Sequence, residues 1–227
     1  MKKIMTIVAV LAATFTYAQK EGSIFFTMTF EGLPAEQAAM MGDMETKVYF
    51  KDKKSYSETN SMMFSSKTLS DENGMVMLQD QMGNKICIKK TKAELEKEEA
   101  ANKGKEPKIE YTTEKKTIAG YECKKAIVTI KTEKDGDQKS DVWYCEKIPY
   151  VSSGKGGSPY KGIKGMPLEF SFSQGPMKIK MVAKEVSLGA VPDSKFVLST
   201  EGYKELTPED IKNMQGGKDV KNGQGGK

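Results

Sequence analysis

Histidine is absent from the 227 residues, and so is arginine: all 36 basic residues are lysine. The first absence removes the usual base of serine and cysteine nucleophiles and every zinc site that needs an imidazole. The second removes the planar fork that reads phosphate or guanine bidentately, so nucleic acid is not an expected partner. Paired carboxylates or a Ser-Lys dyad remain open on composition, yet no spacing singles out a pair, and the chain is expected not to be an enzyme and to need no cofactor. Asp135, Asp137 and Asp141 could approach calcium, but the bidentate Glu of a calcium loop is missing and Asp-Gly is a common hairpin turn. The glycines of residues 153–158 lack the Walker spacing and read as a turn.

Methionine and cysteine are the residues left with distinctive chemistry. There are 15 methionines, with Met40, Met41 and Met44 close together, followed by Met62, Met63, Met75, Met77 and Met82. Thioethers are soft ligands for Cu(I), which makes a copper binder one reading. Met also fills irregular apolar space and suits adaptable binding surfaces, so core or ligand cavity is the reading preferred here. The three cysteines are Cys87, Cys123 and Cys145. Cys123 and Cys145 flank a hairpin and form the candidate disulfide, with Cys87 a competing partner. A two-residue turn at Asp135-Gly136 would set position 123 opposite 148 and put the two cysteines on opposite faces, so the bridge requires a longer loop or a bulge.

The elements that must carry these residues are mostly short strands. Residues 1–18 have the three parts of a secretory signal: Lys2 and Lys3, an apolar run over 4–15, and Thr16-Tyr17-Ala18 as a small-residue cleavage site, so the mature chain is expected to begin at Gln19. No later stretch approaches the roughly 20 apolar residues of a spanning helix. Residues 19–214 read as one β-rich domain, and 215–227, dominated by Gly, Lys, Gln and Asn, as a disordered tail. The clearest strand is 23–30, with Ile24, Phe26, Met28 and Phe30 on one face at period two. Residues 33–45 read as a short helix or ordered loop. Strand-like runs follow at 47–50, 55–59, 74–79, 85–89, 109–117, 123–132, 142–148, 168–173 and 177–187, with turns between them. Thr91 and Glu94 have capping-box spacing ahead of a helix to Ala101, and Thr207-Pro208 opens a last one. Trp143, Tyr144 and Tyr150 read as core.

Three segments carry a resemblance: Thr117-Ile118-Ala119-Gly120-Tyr121-Glu122-Cys123-Lys124-Lys125-Ala126, then Val142-Trp143-Tyr144-Cys145-Glu146-Lys147-Ile148-Pro149, then residues 160–170. Together they resemble uncharacterised exported proteins of Gram-negative bacteria, the GLPGLI-type family and a related family of unknown function. Gly165-Met166-Pro167-Leu168 departs from the order of the first family's element, which favours the second. The resemblance implies a fold similar to the LolA, LolB and LppX lipoprotein carriers: mainly β, a half-open antiparallel barrel with two or three short helices as a lid. It implies no reaction. On that fold, a lipid-like ligand lined by Met40, Met41 and Phe64 is the expectation, in the periplasm or secreted. A filled barrel whose surface binds an envelope protein is the alternative.

Overall fold

A computed structural model of the chain describes residues 20–34, 44–61, 64–104, 106–132, 136–151, 160–174 and 177–216. The strands are β1 (Glu21–Glu31), β2 (Met44–Lys51), β3 (Lys54–Asn60), β4 (Phe64–Asp71), β5 (Gly74–Gln81), β6 (Asn84–Thr91), β7 (Lys108–Ile118), β8 (Tyr121–Thr132), β9 (Gly136–Cys145), β10 (Met166–Gln174), β11 (Met177–Leu188) and the two-residue β12 (Lys204–Glu205). Helix α1 (Lys92–Ala101) links β6 to β7, a 3-10 turn covers Asp193–Phe196, and helix α2 (Pro208–Gly216) ends the described chain.

All twelve strands form one sheet in the order β12-β6-β5-β4-β3-β2-β1-β11-β10-β9-β8-β7. Each pairing is antiparallel except β12 on β6. The sheet does not close on itself: β7 and β12 end it. Tight hairpins make the neighbours. Two turns have both central residues at positive φ, Met82-Gly83 (52° and 86°) and Ala119-Gly120 (48° and 81°), the conformation whose twist matches flanking strands.

The sheet is strongly curled, and the β6–β7 connection proves it. Ten strand spacings separate these two strands, about 48 Å if the sheet were flat. The ten-residue helix α1 spans about 15 Å. Residues 102–107 add at most about 20 Å. The edges must therefore approach each other, on the face over which α1 passes. That face is identified at both ends of the crossing. Lys90, in one row with Met75 and Ser70, donates to Glu98 of α1 at 2.6 Å. Glu99 of α1 pairs with Lys161, next to Tyr160 and Ile163, which are buried on Ala126, Val128, Val142 and Tyr144.

Two cores result. The concave one runs from Ile24, Phe26, Val48 and Phe50 through Leu168, Ile179, Met181 and Ala183. The convex one lies on the other side of β2–β6, where Tyr56, with Tyr49 and Leu69 beside it, packs under Val191 and Phe196. Residues 189–206 run over this side as a strap: the Glu21 carboxylate accepts from the Val191 N–H (3.0 Å), Lys51 donates to Asp193 (2.9 Å), and the Leu206 N–H donates to the Cys87 carbonyl (2.8 Å).

Several expectations need correction. Strand β4 was not anticipated, and Met44 and Glu45, assigned to a helix or loop, begin β2. Ile148 lies beyond β9, which ends at Cys145 and begins earlier, at Gly136. Helix α2 runs to Gly216, two residues past the boundary expected at 214. Both caps are present: Thr91 and Glu94 form the capping box of α1, and the Thr207 hydroxyl and Asp210 carboxylate exchange bonds with each other's N–H at 3.1 and 2.9 Å. Residues 1–18, the glycines of 153–158 and the tail from 217 lie outside the described residues. Among the described residues no helix is long and apolar enough to cross a membrane.

Candidate functional site

Directly opposed residues in antiparallel strands point to the same side, so the register lays out the concave surface row by row. One row reads Val48, Ser57, Thr68, Met77, Ile88 across β2–β6; the row on one side reads Thr46, Thr59, Ser66, Gln79, Ile86; the row on the other reads Phe50, Ser55, Ser70, Met75, Lys90. The middle of this half is a grid of six hydroxyls on β3 and β4: Ser55, Ser57, Thr59, Ser66, Thr68 and Ser70. The opposite half is apolar. From β1 it carries Ile24, Phe26, Met28 and Phe30, and from β11 and β10 Met181, Ile179, Phe170 and Phe172. Phe26 and Phe170 meet edge-on at 5.9 Å, and Phe170 meets Tyr160 at 5.0 Å.

The reason β3 and β4 place small hydroxyls inward is visible in their other face. Tyr56 and Leu69 point outward into the convex core, so, Phe64 at the start of β4 apart, the large apolar residues of these strands serve the strap, and the other inward positions are free to be small and polar. Thr46 and Thr59 share a hydrogen bond at 2.8 Å, and the Thr46 hydroxyl lies 3.3 Å from the Met28 sulfur. The Ser70 hydroxyl is buried and, among the described residues, makes no hydrogen bond. No carboxylate occurs in the three rows, and their single cation, Lys90, is held by Glu98.

The trough has a packed end and a looser one. At the first, Ile24, Phe50, Leu168 and Ile148 are fully buried, and Gly22 has no room for a side chain because a Cβ there would sit 2.6 Å from the Ser187 carbonyl oxygen and 2.9 Å from the Phe50 ring. At the other, Met28, Phe30, Phe64, Met77, Ile86, Phe172 and Met177 are only partly buried. Phe64 thus lies on the concave face at the looser end, paired with Gln81. Met40 and Met41, its expected companions, lie outside the described residues, as do Met62 and Met63. Met75 and Met82 sit at opposite ends of the β5–β6 hairpin, and Met82 is 80% exposed at its tip, so these thioethers do not converge as a copper site would require.

On the convex side, Trp143 lies under the Lys116 ammonium at 4.2 Å. Glu169 accepts from Lys116 (2.6 Å) and Lys180 (3.1 Å). Burial alone would push the Glu169 carboxyl up, but these two hydrogen bonds outweigh it and hold it below the usual glutamate range. Lys125 likewise bridges Glu114 and Asp141. This is a cross-strand ladder that ties β7–β11 together. A shallow cleft of about 160 Å³ lies beneath the strap, between Gly22, Tyr49, Ser187 and Val191. Among the described residues no three acidic or cysteine side chains gather as a metal site; Asp141 is engaged by Lys125, and Asp135 lies outside those residues.

Against known families, residues 21–153 match the model described as "Domain of unknown function (DUF4412)", more than half of the chain. The chain belongs to the DUF4412 family. The matched region carries β1–β9, and β11, which completes the pairing of β1, lies beyond it. No curated protein matches. Solved structures that match include PNGF-II (16% identity, TM-score 0.47, 86% of this chain and 32% of that one). The Mycobacterium tuberculosis lipoprotein LppX matches at 8% identity and TM-score 0.37, over 75% of this chain and 88% of that one. A LolA superfamily protein from Nitrosomonas europaea matches at 10% and 0.33, over 80% and 92%. The chain therefore spans about a third of PNGF-II.

Proposed function

We propose that this DUF4412 protein is a non-catalytic binding protein that holds an apolar, lipid-like ligand in the trough of its half-open barrel, with α1 as part of the lid. One observation carries the reading. The concave face is divided between an aromatic and aliphatic wall on β1, β10 and β11 and a wall of six small hydroxyls on β3 and β4. Large apolar side chains facing each other would fill such a space; Ser and Thr leave room and supply hydrogen bonds. An acyl chain suits the first wall and an uncharged polar portion the second, because the rows hold no free charge to pair with an ion. Phe64, Met40 and Met41 are the proposed lining at the looser end. Residues 1–18 are proposed as the cleaved signal that takes the chain to the periplasm or beyond.

The test is native mass spectrometry of the protein isolated without detergent from its own envelope fraction, followed by organic extraction. A stoichiometric lipid-like adduct on a chain beginning at Gln19 is the expected result. A bare polypeptide that also takes up no fluorescent acyl probe removes the ligand reading and leaves a filled barrel that works through its surface. A copper-sized mass removes it in favour of the thioether reading.

A further inference from the structure

The pairing of the three cysteines follows from the register. In β8 and β9, Lys124 faces Tyr144 and Thr132 faces Gly136, so three residues, 133–135, lie between the last pair. This is the longer loop that the bridge required. Continuing the same register by one step sets Cys123 directly opposite Cys145, with side chains on the same face. Opposed residues in antiparallel strands have Cα atoms about 4.5 or 5.5 Å apart, within the span a disulfide accepts, about 4.4–6.8 Å. Both residues are 0% exposed and share one cluster with Ile118, Ile148 and Leu168.

Cys87 has no access to either. It lies on β6 beneath the strap, where the charged groups around its thiol are Lys89 and Glu205, whereas Cys123 has Cys145 beside it. Its neighbours are Leu78, opposite it on β5, and Glu205 and Leu206.

We infer that Cys123 and Cys145 form the disulfide of the exported protein, closing β8 onto β9 at the packed end of the trough, and that Cys87 is its one permanent thiol. The structure carries all three as thiols. Oxidation removes two electrons and two protons from the pair. They pass to a donor disulfide of the exporting compartment, through a mixed disulfide on one cysteine that the other then displaces, and the donor leaves as two thiols. In the folded chain, burial and the neighbouring Cys145 push the Cys123 thiol up to about 12. The thiolate needed for exchange is then scarce, and the bridge forms while the chain is folding. This inference does not depend on the ligand reading.

The experiment uses the full chain, reduced in denaturant and refolded in a glutathione redox buffer, then quenched with acid and alkylated with iodoacetamide in denaturant. One carbamidomethyl group per chain is expected, on Cys87, with a peptide linking positions 123 and 145. Three groups per chain, or any link that includes Cys87, overturns the inference. A Cys87→Ser chain treated in the same way should take up no label; two labels would equally refute it.

Discussion

Replacing Glu169 by Gln probes whether the convex charge ladder holds β10 to its neighbours. The side chain is 17% exposed and accepts from Lys116 at 2.6 Å and Lys180 at 3.1 Å. Hydrogen bonds to charged groups are worth about 1.5–3 kcal/mol each at most. The amide keeps one acceptor, and both lysines, 34% and 37% exposed, can turn to water. The net loss at pH 7 should therefore be about 1–2 kcal/mol. At about 2–4 °C per kcal/mol for a domain of this size, Tm should fall by about 2–8 °C. The sign of the pH dependence is fixed by the direction of the shift. Because the folded-state carboxyl lies below its unfolded value, its contribution is complete above that unfolded value, about 4.3. It is lost as pH falls through the folded value. Thermal melts of both proteins from pH 7 to pH 3 should show a gap that narrows below about pH 4. A gap of equal size at both ends, or none at pH 7, would refute the reasoning.

Three further outcomes follow from the packing. Gly165→Ala should lower Tm, because a Cβ there would sit 2.1 Å from the Cys145 carbonyl oxygen. The backbone must give way, at about 1–3 kcal/mol, and a thermal melt reads it directly. Leu206→Ala should loosen the strap over Cys87 and raise its native-state alkylation rate about tenfold or more, followed by mass spectrometry over time; an unchanged rate would mean that Leu206 does not guard the thiol. Reducing the refolded, oxidised protein should cost about 3 kcal/mol for a closed loop of about 23 residues. Denaturant titration with and without dithiothreitol measures it.

Most strands were legible because their apolar residues alternate against polar ones, as in β1 and β11. The two helix starts were legible because Thr91 with Glu94 and Thr207 with Pro208 are local signals. Strand β4 was not, for a physical reason: after Phe64 its inward positions, Ser66, Thr68 and Ser70, are hydroxyls, and its one large outward apolar residue, Leu69, serves the strap. A search for apolar alternation has nothing to find there. The hydroxyl grid was nevertheless in the sequence, as Ser or Thr at 55, 57, 59, 66, 68 and 70, and period-two polarity in small residues was the signal. The strap itself could not be read, since 189–206 has no periodicity; its place is set by contacts with residues more than 100 positions away, such as Val191 with Glu21 and Leu206 with Cys87. The proposed cysteine pairing hung on the length of one turn.

The seam between β1 and β11 bears on how the chain reaches this shape. Apart from that pair and the short β12 contact, every strand is hydrogen-bonded to its immediate neighbour in sequence. Two runs of hairpins, β1–β6 and β7–β11, can each assemble from local encounters, which are fast. Joining them requires Gly22 to find Leu188 and Phe30 to find Ile179 across about 150 residues of chain, a closure with a far larger entropic cost. Until β11 has emerged, β1 is an unfilled edge carrying Ile24, Phe26, Met28 and Phe30. For a chain made N-terminus first, that edge is the surface most in need of a chaperone.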